Sequence, residues 1–284
     1  MQKVFKHLKS LILVFFVLIN VFIYYSIYET HSGILKVAFL DVGQGDAIFI
    51  ESPTGNQILI DGGPNGKVLE SLGRVMPFYD RNIDAIITTH PDKDHIGGIP
   101  EVLNNYSVGE YFDNGAEAIT ATDKELKREI ADKNIEYELA QSGELIDIGG
   151  GAFLRILSPD SEPRGSDTNK YSVVAKLYYG NTGVLLTGDA PTELENNLAK
   201  TFGAELKSQI LKVAHHGSRN SLSESFLSAV SPEYSVVSAS IDNSYGHPHK
   251  EILNFLQEIS SKVLETFQGG NIIAESDGNN FKIR

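Results

Sequence analysis

Residues 86–99 read IITTHPDKDHIGGI. A hydrophobic run with the character of a strand ends at His90, Asp92, Asp94 and His95 follow at once, and a glycine pair then opens a helix. His90 and Asp92 alternate about Pro91, so in an extended segment both side chains point the same way. Asp94 and His95 are adjacent and diverge, which suits ligands to two metal ions rather than one. A polar loop with an aspartate cap would account for a lone Asp–His pair. It does not account for H-x-D-x-D-H directly after an apolar strand.

Three further stretches carry residues of the same kind. In LLTGDA (185–190), Asp189 emerges from a hydrophobic strand beside Gly188 and before Pro191. Alone it reads equally well as a helix N-cap. In LKVAHHGSRN (211–220), a buried strand delivers His215 and His216 before Gly217 and Ser218 turn the chain. One of the two histidines can serve as a partner behind the ligands rather than as a ligand. In YGHPHKE (245–251), His247 and His249 flank Pro248, and a turn with exposed histidines is the competing reading.

Carboxylates and neutral imidazoles together bind divalent metals, and a bridging carboxylate can hold two of them. Two such ions about 3.5–4 Å apart acidify a shared water and clamp the attacking and leaving oxygens of a displacement. A phosphodiester is the substrate class that this chemistry suits. Ser218, Arg219 and His247 are then the candidates to contact phosphate oxygens or to protonate a leaving oxygen.

Composition narrows the field. The 284 residues include no cysteine, which excludes thiolate metal sites and disulfides. A chain 41% hydrophobic with periodic segments is not a disordered tail. The net charge of −13 argues against a broad basic surface for nucleic acid. It leaves room for polyanion chemistry at a site that carries its own metal charge.

The charge is unevenly placed. Residues 1–32 hold Lys3, Lys6 and Lys9 against Glu29, which leaves 21 basic and 36 acidic residues beyond them. Residues 11–28, LILVFFVLINVFIYYSIY, form an apolar run. At 1.5 Å per residue it would span roughly 27 Å, enough for a bilayer core. Tyr24, Tyr25 and Tyr28 lie where an aromatic belt is expected. The absence of a polar face argues against a buried core helix. A cleaved signal peptide shares the basic start, but no small-residue cleavage site follows in YYSIYETHSG. An uncleaved single-pass anchor is expected. The positive-inside rule then places Met1 in the cytoplasm and the chain from about Gly33 outside it.

From Ile34 onward, strand and helix patterns alternate. Strands are expected at 35–42, 47–51, 57–61, 83–90, 109–112, 136–139, 152–158, 172–179, 183–187, 206–214, 234–239, 262–266 and 271–275. Helices are expected at 67–79, 98–104, 122–134, 192–202, 222–230 and 250–260. This order predicts mixed sheets covered by helices on their outer faces. Gly149–Gly151 is the expected break between halves, and QILIDGG (57–63) is echoed by GVLLTGDA (183–190) across it.

FLDVGQGDAIFI (39–50), ILIDGG (58–63), THPDKDHIGGI (89–99), NKYSVVAKL (169–177), LLTGDA (185–190), KVAHHGS (212–218) and YGHPH (245–249) together resemble the metallo-β-lactamase superfamily. More closely, they are similar in content and order to the soluble domain of ComEC-type DNA-uptake competence proteins, over about residues 34–284. The resemblance implies an α/β, four-layer αββα sandwich over residues 33–284, behind a basic stub and one transmembrane helix in residues 1–32. It implies two divalent ions at the edge between the halves. His90 and Asp92 would hold the first ion. Asp94 and His95 would hold the second, with His215 completing it in preference to His216 because it comes first off the strand. Asp189 would bridge both ions, Asp61 would lie beneath, and Asp41 and Gln44 would line the cleft, Gln44 against the substrate.

Two positions depart from the superfamily pattern. Asp92 replaces the middle histidine of H-x-H-x-D-H, and Asn169 stands where a third histidine is usual. Both exchange nitrogen for oxygen, which moves preference from zinc toward manganese or magnesium and away from β-lactam hydrolysis. The resemblance implies a membrane-anchored, extracytoplasmic phosphodiesterase acting on DNA, with Asp94 and His247 as catalytic residues. Hydrolysis of a small or cell-wall phosphodiester and a non-catalytic part in DNA uptake are the alternatives. A single apolar stretch is expected to anchor, not to form a pore. Nothing in the sequence indicates an oligomeric state.

Overall fold

The computed structural model describes residues 2–30, 33–116 and 120–284, with side chains described outside residues 2–6, 8 and 24–30. In chain order the helices are α1 (Gln2–Thr30), α2 (Lys67–Leu72), α3 (Lys93–Ile96), α4 (Ile99–Asn105), α5 (Ala121–Asp132), α6 (Thr192–Phe202), α7 (Glu224–Val230), α8 (Lys250–Glu258) and α9 (Thr266–Gly269). The first eight strands are β1 (Leu35–Phe39), β2 (Ile48–Glu51), β3 (Gln57–Ile60), β4 (Asn82–Ile87), β5 (Ser107–Asp113), β6 (Glu136–Leu139), β7 (Leu145–Gly149) and β8 (Ala152–Ser158). The rest are β9 (Val174–Tyr179), β10 (Thr182–Leu186), β11 (Ile210–Lys212), β12 (Tyr234–Val237), β13 (Lys262–Glu265), β14 (Ile272–Ser276) and β15 (Phe281–Ile283).

Two mixed sheets result. One runs in the order β15-β14-β1-β2-β3-β4-β5-β6 and the other β13-β12-β11-β10-β9-β8-β7. The hydrophobic runs in their central strands follow from burial on both faces. Leu35, Val37 and Phe39 of β1, Ile87 of β4, and Val184 and Leu186 of β10 join one core between the sheets. Ala38 and Ile86 face a second core under α2, α4 and α5. Leu185 and Leu211 face a third core under α6, α7 and α8. The layers are therefore helix, sheet, sheet, helix.

The two halves repeat a pairing scheme. In the first sheet the β1–β2 and β2–β3 pairs are antiparallel and the β3–β4, β4–β5 and β5–β6 pairs parallel. In the second, β7 to β10 are antiparallel and β10 to β13 parallel. The echoed segments occupy equivalent places, since β3 and β10 are each the last antiparallel strand before a parallel one.

Three expectations are corrected. Gly149–Gly151 do not divide the halves. They turn the β7–β8 hairpin inside the second sheet, all with positive φ (93, 66 and 82°). The boundary falls between β6 and β7, and the C-terminal hairpin β14–β15 returns to the first sheet beside β1. The strand expected over 206–214 shrinks to β11, with a 3-10 turn on either side. The helix expected over 67–79 stops at Leu72, where Gly73 caps it.

At the N-terminus α1 is continuous. Its described apolar side chains, Leu11–Ile23, are exposed. They cover about 20 Å of helix at 1.5 Å per residue. Among the described residues, no helix is long and apolar enough to cross a membrane. The side chains of Lys3, Lys6, Tyr24, Tyr25, Tyr28 and Glu29 lie outside the described set.

Candidate metal centre

The site forms where parallel strands of both sheets end and their loops converge. After β3, Asp61 takes a left-handed conformation (φ 58°). Its carboxylate accepts hydrogen bonds from Thr89 N (2.7 Å), Thr89 Oγ1 (2.8 Å) and His95 Nδ1 (2.8 Å). Having given its proton to Asp61, Thr89 Oγ1 accepts from His90 Nδ1 at 3.0 Å. On the second sheet, His216 Nδ1 donates to the Ser238 carbonyl at 2.9 Å. Each of these imidazoles is thus engaged through Nδ1 and presents the lone pair of Nε2.

Those Nε2 atoms converge on Asp189. Its Oδ1 lies 3.3 Å from His95 Nε2 and 3.8 Å from His216 Nε2. Its Oδ2 lies 3.6 Å from His215 Nε2 and 3.9 Å from His90 Nε2. Asp92 Oδ2 is 3.7 Å from His90 Nε2, and Asp94 Oδ2 is 3.3 Å from His216 Nε2. The Nε2 atoms of His90, His95 and His216 and Oδ1 of Asp189 are buried with no hydrogen-bond partner among the described residues. Four orphaned polar atoms at one point are costly. Divalent cations would satisfy all four, and the groups His90–His95–Asp189 and Asp94–His95–His216 have the spacing to hold them.

The electrostatics agree. Burial works against the charge on Asp189, but His95 and His216 hold its carboxyl well below the usual range. Burial likewise opposes protonation of His216, but Asp189, Asp46 and Asp94 push it up to about 9. His95 is raised well above its ordinary value against its burial, by Asp189 and Asp61. Burial and the neighbouring His95 bring His90 down to about 4. A cluster that favours a proton on Nε2 of two of its imidazoles is one that favours a metal cation in place of those protons.

The expected residues His90, Asp92, Asp94, His95 and Asp189 are brought together, and Asp61 lies behind them. The two histidines after β11 divide differently from the expectation. His216 is the buried one and stands with Asp94 and His95, whereas His215 is half-buried and faces the oxygen of Asp189 that His90 also faces. The reason is backbone geometry. Both residues are left-handed (φ 50 and 55°), so position along an extended strand no longer tells which side chain points inward. Asp92 is more open, and Thr168 Oγ1 donates to it at 3.0 Å. The turn that carries Asn169 thus meets this side of the site through Thr168.

Among the expected substrate contacts, His247 sits beside the cluster, its ring centroid 5.7 Å from His215 and 6.3 Å from His216. Its Nδ1 has no hydrogen-bond partner among the described residues, and burial together with His216 and His215 brings the imidazole down to about 4. Arg219 is exposed on the turn that follows His216, and its backbone N–H donates to His249 Nδ1 at 3.2 Å. Ser218 is buried and its Oγ accepts from Asn220 N at 3.3 Å, a bond within the turn. Gln44 Oε1 accepts from Ser240 N at 3.3 Å and so joins the loops after β1 and β12. Asp41 is held on the α2 side by Gly43 N (3.1 Å) and Lys67 Nζ (2.8 Å).

Sequence reading missed Asp46 and Lys212. Lys212 is fully buried in β11 and forms an ion pair with Asp46, from the loop after β1, across the two sheets. Burial opposes the charge on Asp46, but Lys212 and then His216 bring it down to about 2. Asp46 N donates to the Asp94 carbonyl at 3.2 Å. Any Cβ on Gly45 would lie 2.1 Å from that same carbonyl oxygen, so glycine is required for this approach. The available signal was a lysine inside an apolar strand and an aspartate before one.

Residues 40–240 match the model of the metallo-beta-lactamase superfamily, and the chain belongs to that superfamily. It is 32% identical over 263 residues to "ComE operon protein 3" of Bacillus subtilis (strain 168), a match that covers 87% of this chain and 34% of that protein. It is 30% identical over 238 residues to "Competence protein ComA" of Neisseria gonorrhoeae, covering 82% and 31%. The chain thus spans about a third of the length of these curated relatives. The metallo-beta-lactamase fold protein YhfI from Bacillus subtilis superposes with a TM-score of 0.55 at 13% identity, covering 83% of this chain and 98% of that one, a likeness of fold.

Proposed function

We propose that the protein is a membrane-anchored, extracytoplasmic, metal-dependent phosphodiesterase that acts on DNA. The observation that carries the reading is the division of labour at Asp189. Each of its carboxylate oxygens faces its own pair of imidazole nitrogens, as a carboxylate bridging two ions would. His90, Asp92 and His215 would hold one ion with Oδ2, and Asp94, His95 and His216 the other with Oδ1. Bound, the two ions supply charge for phosphoryl oxygens and acidify a water.

The chain's own groups do the rest. Asp61, Thr89 and the Ser238 carbonyl hold the imidazoles with Nε2 forward. Asp94, partly exposed beside His216, would take a proton from an incoming water. His247 is uncharged at neutral pH and offers a hydrogen bond to the leaving oxygen. Arg219 on the rim can meet a phosphate. Each ion would then meet two imidazoles and two carboxylates, a mixed nitrogen and oxygen set that suits manganese or zinc better than magnesium. Similarity to competence proteins turns the choice of substrate toward DNA, and the exposed apolar run of α1 supports an anchor.

Incubation of the protein with single- and double-stranded DNA and Mn²⁺ tests the reading. Cleavage is expected, and a doubly substituted Asp94→Ala/His95→Ala protein should lose it together with bound metal. Cleavage no greater than that of the double variant would sink the nuclease assignment. The excess of 36 acidic over 21 basic residues beyond residue 32 favours a second reading, a small or cell-wall phosphodiester. Hydrolysis of bis-p-nitrophenyl phosphate without cleavage of DNA would select it.

A further inference from the structure

Beside the metal centre stands an aromatic surface that the hydrolytic chemistry leaves unused. Tyr245 is 65% exposed and Ile241 is 73% exposed, both on the loop between β12 and α8. The tyrosine ring stacks on His247, with centroids 5.6 Å apart and planes 23° from parallel. His247 in turn lies against His215. A continuous series of rings therefore leads from the ion-facing imidazoles to an aromatic face open to solvent.

The loop that presents this ring is braced. Asn243 Oδ1 accepts from Tyr245 N (3.1 Å) and His247 N (2.9 Å), and its Nδ2 donates to the carbonyls of Ser240 (2.7 Å) and His247 (2.6 Å). Ser240 is tied to Gln44 on the opposite sheet. Exposing a large aromatic side chain on so constrained a loop has no benefit for folding. It preorganises the ring for a partner that stacks.

We propose that Tyr245 is the stacking platform for an unpaired nucleobase of the substrate, so that the protein acts on single-stranded nucleic acid or on strand ends. The inference rests on the nuclease reading above and sharpens it. Charge supplies the second reason. A protein with so acidic a main portion gains little from releasing counterions along a phosphate backbone. Stacking is independent of net charge and tolerates any base, because every base has a π face. A base inside a duplex has both faces covered and cannot use the platform. Tyr245 is thus a specificity-determining residue, and Asn243 positions it.

The test is equilibrium binding to the full chain in Ca²⁺, with a labelled single-stranded oligothymidine and the same oligomer made abasic. Tyr245→Ala should bind the intact oligomer about tenfold more weakly, and Tyr245→Phe should bind it as the unaltered protein does. The abasic oligomer should bind the unaltered protein about as weakly as the intact one binds Tyr245→Ala, with no further loss in the variant. Equal binding of intact and abasic oligomers by the unaltered protein would overturn the proposal. So would equal binding of the intact oligomer by the unaltered protein and Tyr245→Ala. Cleavage in Mn²⁺ is read separately. Base-dependent binding without cleavage keeps the platform and removes the nuclease. Cleavage together with equal binding of intact and abasic strands keeps the nuclease and removes the platform.

Discussion

His215 and His216 both occupy the left-handed region that non-glycine residues seldom visit. Strain of this kind is held in place by surrounding contacts. Here the contacts are the His215 N–H to the Gly188 carbonyl (3.1 Å) and the His216 ring to the Ser238 carbonyl. The outcome is that one histidine serves each oxygen of Asp189. Beneath them, Lys212 and Asp46 form a buried ion pair whose value lies in the partners being present together. Lys212→Met leaves the Asp46 carboxylate buried without its counter-charge. Denaturant unfolding should show a loss of about 3–5 kcal/mol. Adding Asp46→Asn should restore much of it. If Lys212→Met alone unfolds at the same denaturant concentration as the parent, the pair has no structural part.

At the scale of elements, one buried carboxylate of α6 holds the start of α7. Glu195 of α6 is buried and accepts the N–H groups of Leu222 (2.9 Å) and Ser223 (2.7 Å), and Ser223 is the N-cap of α7. Burial raises its carboxyl from 4.5 to about 7, although the two N–H groups work against the rise. The folded protein therefore holds this proton more tightly than the unfolded chain does. The resulting contribution to stability is complete below about pH 4.5 and is lost as pH rises through about 7. Glu195→Gln removes that pH dependence. It also sets an amide NH₂ against a backbone N–H, at a cost of about 1–3 kcal/mol. Urea titrations at pH 5 and pH 8 check both effects. The gap between parent and variant should be wider at pH 5, and an equal gap at both values contradicts the assignment.

Most elements were legible because each core strand is buried on both faces and reads as an apolar run ending in polar residues. The cluster His90, Asp92, Asp94 and His95 was legible for the same reason, with four ligand-type side chains at the end of one such strand. The glycine run at 149–151 misled because glycine marks any turn needing positive φ, whether within a sheet or between halves. The short hairpin strand β15, with no fully buried residue, had too little pattern to be read.

For the molecule as a whole, the centre is shared by two sheets that meet mainly through apolar packing and the Lys212–Asp46 pair. His90, Asp94 and His95 come from the first sheet's loops, and Asp189, His215 and His216 from the second's. Ions bound between them would cross-link the halves. Mn²⁺ at about a hundredfold over its Kd should stabilise by about 2.7 kcal/mol and raise Tm by roughly 5–10 °C for each site it fills. Asp189→Asn should abolish the whole shift, because both sites share that residue. A shift that survives in Asp189→Asn would place the ions elsewhere.

The sequence by itself determined the superfamily, the alternation of strands and helices, and six of the seven side chains gathered at the candidate centre, His216 being the seventh. Those features are local, written in periodicity and in side chains a few positions apart. Tertiary structure alone decided which histidine serves which oxygen of Asp189 and that Lys212 pairs with Asp46, 166 positions away. It alone also decided that β14 and β15 close the first sheet. Each of these depends on the packing of distant segments and on backbone handedness at single residues, which no local pattern encodes.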